Sequence, residues 1–149
     1  GVMAYGHYPD PATPRTVDLL PGLTLVSRVS FVKRVMAGET VGYGRTWTAT
    51  RETTIATVPI GYADGFSRLN SNRGHVLVHG RRYPVAGRVC MDQTMIDLGD
   101  DVVEVGDEVV AIGSQGSERI TATEVAQLMG TIPYEVTCLV TPRVTRVYE

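Results

Sequence analysis

Over most of the chain apolar residues recur with a period of two, interrupted roughly every eight to twelve residues by Gly, Pro, Asn or Asp. That is the pattern of short, half-buried strands joined by turns, as in a sandwich or barrel. The alternation predicts strand structure within Leu23 to Val35. Further strands are predicted over Thr54 to Ile60, His75 to Val78, Arg82 to Val89, Thr94 to Leu98, Glu108 to Ile112, Val136 to Val140 and Val144 to Tyr148. The expected fold is therefore mainly β and barrel-like.

One segment departs from period two. Thr121-Ala122-Thr123-Glu124 sets a hydroxyl three residues before a carboxylate, the arrangement that satisfies backbone N–H groups at a helix start. Val125, Leu128 and Met129 then share one helical face, and Gly130 stands where a left-handed cap belongs. A single short helix is predicted from Ala122 to Met129. Tyr8 to Gly22 holds Pro9, Pro11, Pro14 and Pro21 with little alternation and reads as an extended connector. The organisation is thus a leading segment over residues 1–22 and a β domain over residues 23–149.

The chain has 149 residues, 43% of them hydrophobic, with 14 basic and 16 acidic side chains and a net charge of −2. This suits one ordinary globular domain with a core of its own. A near-neutral balance without a basic stripe argues against nucleic acid as a partner. The apolar runs fall far below the about 18 residues of a spanning helix, so no membrane segment is expected here. The amino end carries no signal pattern and reads as the cut edge of a longer chain, and a cytoplasmic location is expected. Lys33 is the only lysine. Chemistry that needs an amine must use it or borrow one.

Several segments carry more chemistry than a strand or turn requires. Gly42-Tyr43-Gly44-Arg45 sets a phenol between two glycines, which permit positive φ and close backbone approach. Such a pairing also occurs in plain β-turns. A phenol of ordinary pKa near ~10 needs a cationic or hydrogen-bonding neighbour to act as a base near neutral pH, and Arg45 is the neighbour in sequence. Gly61-Tyr62-Ala63-Asp64-Gly65 supplies a second Tyr beside a turn signal. Gly87-Arg88-Val89-Cys90-Met91-Asp92-Gln93 is a poor strand pattern for core or surface, and a loop offering N–H groups and an Arg to a carboxylate accounts for it. Tyr134, after Pro133, is expected to project from a loop. His75 and His79 would lie about 13 Å apart on one strand face, too far to share an ion. Cys90 and Asp92 lack a partner at ligand spacing, so no metal site is expected. Cys90 and Cys138 are expected to be reduced and buried.

Taken in order, Val41 to Trp47, Pro59 to Gly65, Gly87 to Gln93 and Thr131 to Val136 resemble the C-terminal domain of the alanine racemases. The resemblance extends to Gly1 to Gly6, similar to the exit from the last strand of that family's N-terminal α/β barrel, and to Pro142 to Tyr148. It implies a domain that has lost sight of its own barrel, since the N-terminal α/β barrel is absent from this chain. It also implies pyridoxal phosphate as cofactor, anchored on a barrel lysine, and a homodimer in which each active site is shared. Tyr43 matches the base that removes the α-proton of L-alanine in the partner subunit's site. Met91 falls where a main-chain N–H receives the substrate carboxylate, and Tyr62 and Arg88 match residues lining a narrow mouth that favours a small amino-acid substrate. Tyr134, Gly1 and Val2 match contacts to the cofactor phosphate. Lys33 lies in none of these motifs, so the domain alone is expected to be inactive. Pro133 departs from the family pattern, where a polar residue is common, and removes a backbone donor. Two other readings share the motifs: a serine or broad-specificity racemase, and a non-catalytic β-barrel dimerisation module.

Overall fold

The computed structural model describes residues 1–10 and 12–148, so Pro11 and Glu149 lie outside the described residues. Among the described residues ten strands form: β1 Leu25–Arg28, β2 Phe31–Val35, β3 Thr40–Val41, β4 Trp47–Thr48, β5 Thr53–Val58, β6 His75–Val78, β7 Arg81–Pro84, β8 Thr94–Gly99, β9 Glu108–Gln115 and β10 Glu118–Ile120. One sheet runs β1-β9-β6-β7, with β10 pairing the far end of β9, and a second runs β2-β5-β8. A bridge from Val85 to Ile96 joins the β7 side of the first sheet to β8 of the second. At the other side only Val29 and Ser30 separate β1 from β2. Val29 N–H donates to Asp107 O at 2.9 Å, and Ser30 N–H donates to Thr57 O at 2.9 Å. The strand order therefore returns on itself, giving a barrel-like body with few free edges.

Burial explains why these segments pair. β8 alternates buried and half-buried positions along its whole length, and β9 buries Val109, Val110, Ala111 and Ile112 in succession. Leu77, Val78, Ala56, Val58, Ile96 and Val109 are fully enclosed in one cluster that also takes up Phe66, Val136 and Val140. Leu23 and Val32, within the first predicted strand stretch, pack only partly against it. That stretch divides at Val29-Ser30 into two strands.

The helix Ala122–Met129 (α1) has its predicted bounds. Glu124 N–H donates to Thr121 Oγ1 at 3.0 Å, and Gly130 closes the helix at φ 74°. The carboxyl end differs from expectation. Val136 to Val140 is not a strand, and Tyr134 does not stand on a loop. Pro133–Cys138 is a second helix, α2. Pro133 occupies its first turn, where a missing N–H leaves no acceptor wanting, so the proline costs nothing there. Val136 and Val140, 2% and 9% exposed, are four apart, the spacing of one helical face. Val144 to Tyr148 forms no strand either. Arg146 holds that tail by donating to the carbonyls of Val140, Thr141 and Val144 at 2.8 to 2.9 Å.

His75 to Val78 is β6, but His79 has left the strand. His79 and Gly80 take φ of 50° and 70°, the two-residue turn that matches strand twist. His79 Nε2 lies 3.0 Å from Asp107 Oδ2. Cys138 is exposed and Cys90 half-buried, and both are free thiols, which corrects the expectation that both are buried. Residues 8–10 and 12–22 contain no strand.

Candidate functional site

Three loops outside the sheets converge at one end of the barrel. The first is the turn carried by the short ribbon β3–β4, in which Gly42 and Gly44 take φ of 77° and 73°. Tyr43 between them is 74% exposed. Arg45, its cationic neighbour in sequence, belongs to the same turn but does not line the cleft, whereas Arg88 reaches the turn from another loop. A Cβ on Gly44 would lie 3.2 Å from Arg88 Nε.

The second loop is a 3-10 turn over Tyr62–Asp64, closed by Asp64, whose Oδ2 accepts from Gly61 N–H at 2.9 Å. The third spans 87–93. Tyr62 N–H donates to Cys90 O at 3.0 Å and Ala63 N–H to Met91 O at 3.1 Å. This stitching brings backbone against backbone at Gly61, where a Cβ would meet the Cys90 and Met91 oxygens at 2.3 Å. No other residue fits there without moving the loop.

The result is an open cleft of about 790 Å³ lined by Tyr43, Tyr62, Arg88 and Met91, together with Arg68, Cys90, Asp92, Gln93 and Met95. Four of the seven residues singled out from the sequence thus share one cleft. Tyr134, Gly1 and Val2 do not line it. Tyr134 sits in the first turn of α2, and Val2 is buried in a 3-10 turn at the amino end. Lys33 is an exposed residue of β2, outside the cleft lining.

Polar side chains hold the loops. Among the described residues the Met91 N–H has no acceptor, and the cleft phenols Tyr43 and Tyr62 have no hydrogen-bond partner. Tyr83 is the opposite case. It is buried, donates to Asp101 Oδ2 at 2.8 Å, and its phenol is pushed up by burial and by that carboxylate. Arg143 reaches from the tail to Asp92 at 2.5 Å and to Asp64 at 3.3 Å, tying the second loop to the third. The Cys90 thiol is pushed up by burial.

Sequence reasoning missed Arg68, Ser71 and Asn72. Gly87 N–H donates to Asn72 Oδ1 at 2.7 Å, and Val89 N–H donates to Ser71 Oγ at 3.0 Å. Their only signal was the polar run Ser67 to Gly74 between two strand patterns, which also reads as a solvated turn. Among the described residues no group of three or more His, Cys, Asp or Glu side chains could hold a metal ion. No helix among them is long and apolar enough to cross a membrane.

The molecule is thus a barrel-like β domain with a loop-built, solvent-open cleft that gathers its candidate chemistry. Residues 22–148 match the family described as alanine racemase, C-terminal domain, and the chain belongs to that family. It is 56% identical over 147 residues to an alanine racemase of Cutibacterium acnes, covering 98% of this chain and 39% of that protein. It is 51% identical over 150 residues to an alanine racemase of Carboxydothermus hydrogenoformans, covering 99% and 41%. The crystal structure of the Bacillus anthracis alanine racemase with bound L-Ala-P superposes with a TM-score of 0.95 at 42% identity, covering all of this chain and 39% of that one. The chain spans about two-fifths of the length of these relatives.

Proposed function

We propose that this chain is the C-terminal part of a pyridoxal-phosphate-dependent racemase that interconverts L- and D-alanine, supplying D-alanine for cell-wall peptidoglycan. Residues 1–22 are the exit from the preceding barrel and its connector, and the rest is the β domain. The observation that carries the reading is the convergence of Tyr43, Tyr62, Arg88 and Met91 in one open cleft of a domain of this family.

In this reading Tyr43 works in the active site of a second subunit, where its phenol exchanges the α-proton on the L face. Its exposure and lack of a hydrogen-bond partner leave it free to do so. The unclaimed Met91 N–H receives the substrate carboxylate. Arg88 and Tyr62 narrow the mouth, so that a methyl side chain passes and larger ones are excluded. The lysine that anchors the cofactor and serves the opposite face comes from the barrel, since Lys33 stands outside the cleft, and the isolated domain is inactive.

The residues assigned to the cofactor fit an anionic phosphate. The Tyr134 phenol is part-exposed with no partner among the described residues, and open space surrounds Gly1. Tyr134 and the Gly1 and Val2 amides would hold that phosphate. When bound, pyridoxal phosphate spreads the negative charge left at Cα once the proton departs.

The test is α-proton exchange of L-alanine in deuterated buffer by the full-length enzyme and its Tyr43→Phe variant, with L-serine as second substrate. Loss of about 10²- to 10⁴-fold in the variant is expected. Unchanged exchange overturns Tyr43 as the base, and faster exchange of serine moves the substrate to that amino acid. No exchange by the parent enzyme favours a dimerisation module.

A further inference from the structure

The turn that bears Tyr43 buries none of its own side chains, although its ribbon is anchored by Val41 and Trp47 in the smaller core cluster. It rises from a ribbon of two residues per strand, β3 and β4, and its side chains point into solvent. Among the described residues, its hydrogen bonds to anything outside itself and its ribbon come from Asn72. Asn72 Nδ2 donates to Thr46 O at 3.3 Å and to Thr46 Oγ1 at 3.2 Å. The same side chain accepts from Gly87 N–H at 2.7 Å, and Asn72 N–H donates to Gly87 O at 3.1 Å. One residue thus grips the start of the Arg88–Met91 loop reciprocally and the end of the Tyr43 turn by its amide. Ser71, beside it, fixes Val89 of the same loop.

The chemistry of the side chain suits this double task. The Gly87 grip needs an acceptor and the Thr46 grip needs a donor, and a primary amide supplies both. Asn72 also holds φ at 56°, a conformation that asparagine tolerates better than other side chains. We infer that Asn72 is a positioning residue for racemisation, fixing the Tyr43 phenol at a set distance from the Met91 N–H that takes the substrate carboxylate. This rests on the reading of Tyr43 as the L-face base. Proton transfer is steep in distance, and a misplacement of about 1 Å can cost about 10²-fold.

Asn72→Gly deletes the amide and relieves rather than strains the positive φ. Asn72→Asp keeps the acceptor for Gly87 and loses the donor to Thr46. Both are made in the full-length enzyme beside Tyr43→Phe. For Asn72→Gly, kcat/KM is expected to fall about 10- to 100-fold in both directions, because the equilibrium constant links them. A looser phenol raises the barrier for the proton moved by Tyr43 and leaves the opposite face untouched. The primary isotope effect with α-deuterated L-alanine therefore rises, and that with α-deuterated D-alanine falls. Asn72→Asp gives the same asymmetry to a smaller degree.

A second readout does not use activity. Amide exchange by mass spectrometry should quicken in the segment Gly42 to Trp47 in Asn72→Gly, while the melting temperature moves by no more than about 3 °C. Isotope effects that stay as in the parent, or shift equally from both substrates, overturn the inference, as does unchanged exchange in that segment. If Tyr43→Phe keeps full activity, the base assignment fails instead, and with it any role for Asn72 in racemisation. The exchange result then decides only whether the grip itself exists.

Discussion

The barrel interior and the cleft rim are built on opposite terms. Inside, Ala56, Val58, Leu77 and Ile96 have no measurable exposure, and position is set by strand register and close packing. At the rim, Tyr43, Tyr62 and Met91 are 74%, 43% and 52% exposed, and position is set by a few small polar side chains bonded to backbone. Volume rules the first region and individual hydrogen bonds rule the second. Conservative apolar changes should therefore pass in the interior, while the loss of a single amide or a single glycine is felt at the rim.

The largest effect that sharpens this contrast comes from the interior. Ile96→Ala removes a side chain at the seam where the two sheets meet through Val85. It should cost about 2–5 kcal/mol in urea unfolding, a large share of a domain's total of about 5–15 kcal/mol. Gly61→Ala comes next, at about 1–3 kcal/mol, because the new Cβ presses on the Cys90 and Met91 carbonyls. Its signature should be rim-specific: if the proposed function holds, the full-length enzyme carrying it shows a raised KM for alanine, which Leu77→Met does not. Leu77→Met, which keeps volume, should cost below about 1.5 kcal/mol. If it costs as much as Ile96→Ala, the interior is not governed by volume.

The smallest effect marks the boundary between the regions. Burial pushes the Cys90 thiol up, so less thiolate is present at neutral pH than for an ordinary cysteine. Its alkylation by iodoacetamide should be slow near pH 8 and climb only as pH rises past the usual thiol range. A rate profile like that of a free cysteine would place Cys90 in the exposed rim.

The interior was legible in the sequence because a strand with one buried face writes its burial as alternation, as β8 does. Strands of two or three residues, β3, β4 and β10, are too short to carry a period. At the carboxyl end Val136 and Val140 fit a four-residue spacing as well as an apolar strand run, and the pattern alone did not choose between them. The cleft was half legible. Tyr43, Tyr62, Arg88 and Met91 stood out as residues that turns and strands do not need. Asn72 did not, because its meaning lies in contacts with Thr46 and Gly87, 26 and 15 residues away. That Arg88 would approach the Tyr43 turn was hidden for the same reason.

The pairing of β1 with β9 has a consequence for how the chain is made. Leu25 meets Ile112, so the first strand of this domain waits more than eighty residues for its neighbour. Until β9 leaves the ribosome, β1 and β6 both lack the strand that should lie between them, and their open edges are exposed to other chains. Closure of the barrel is thus a late event in translation. A pause before residue 108 would lengthen the period in which the nascent chain is most prone to aggregate.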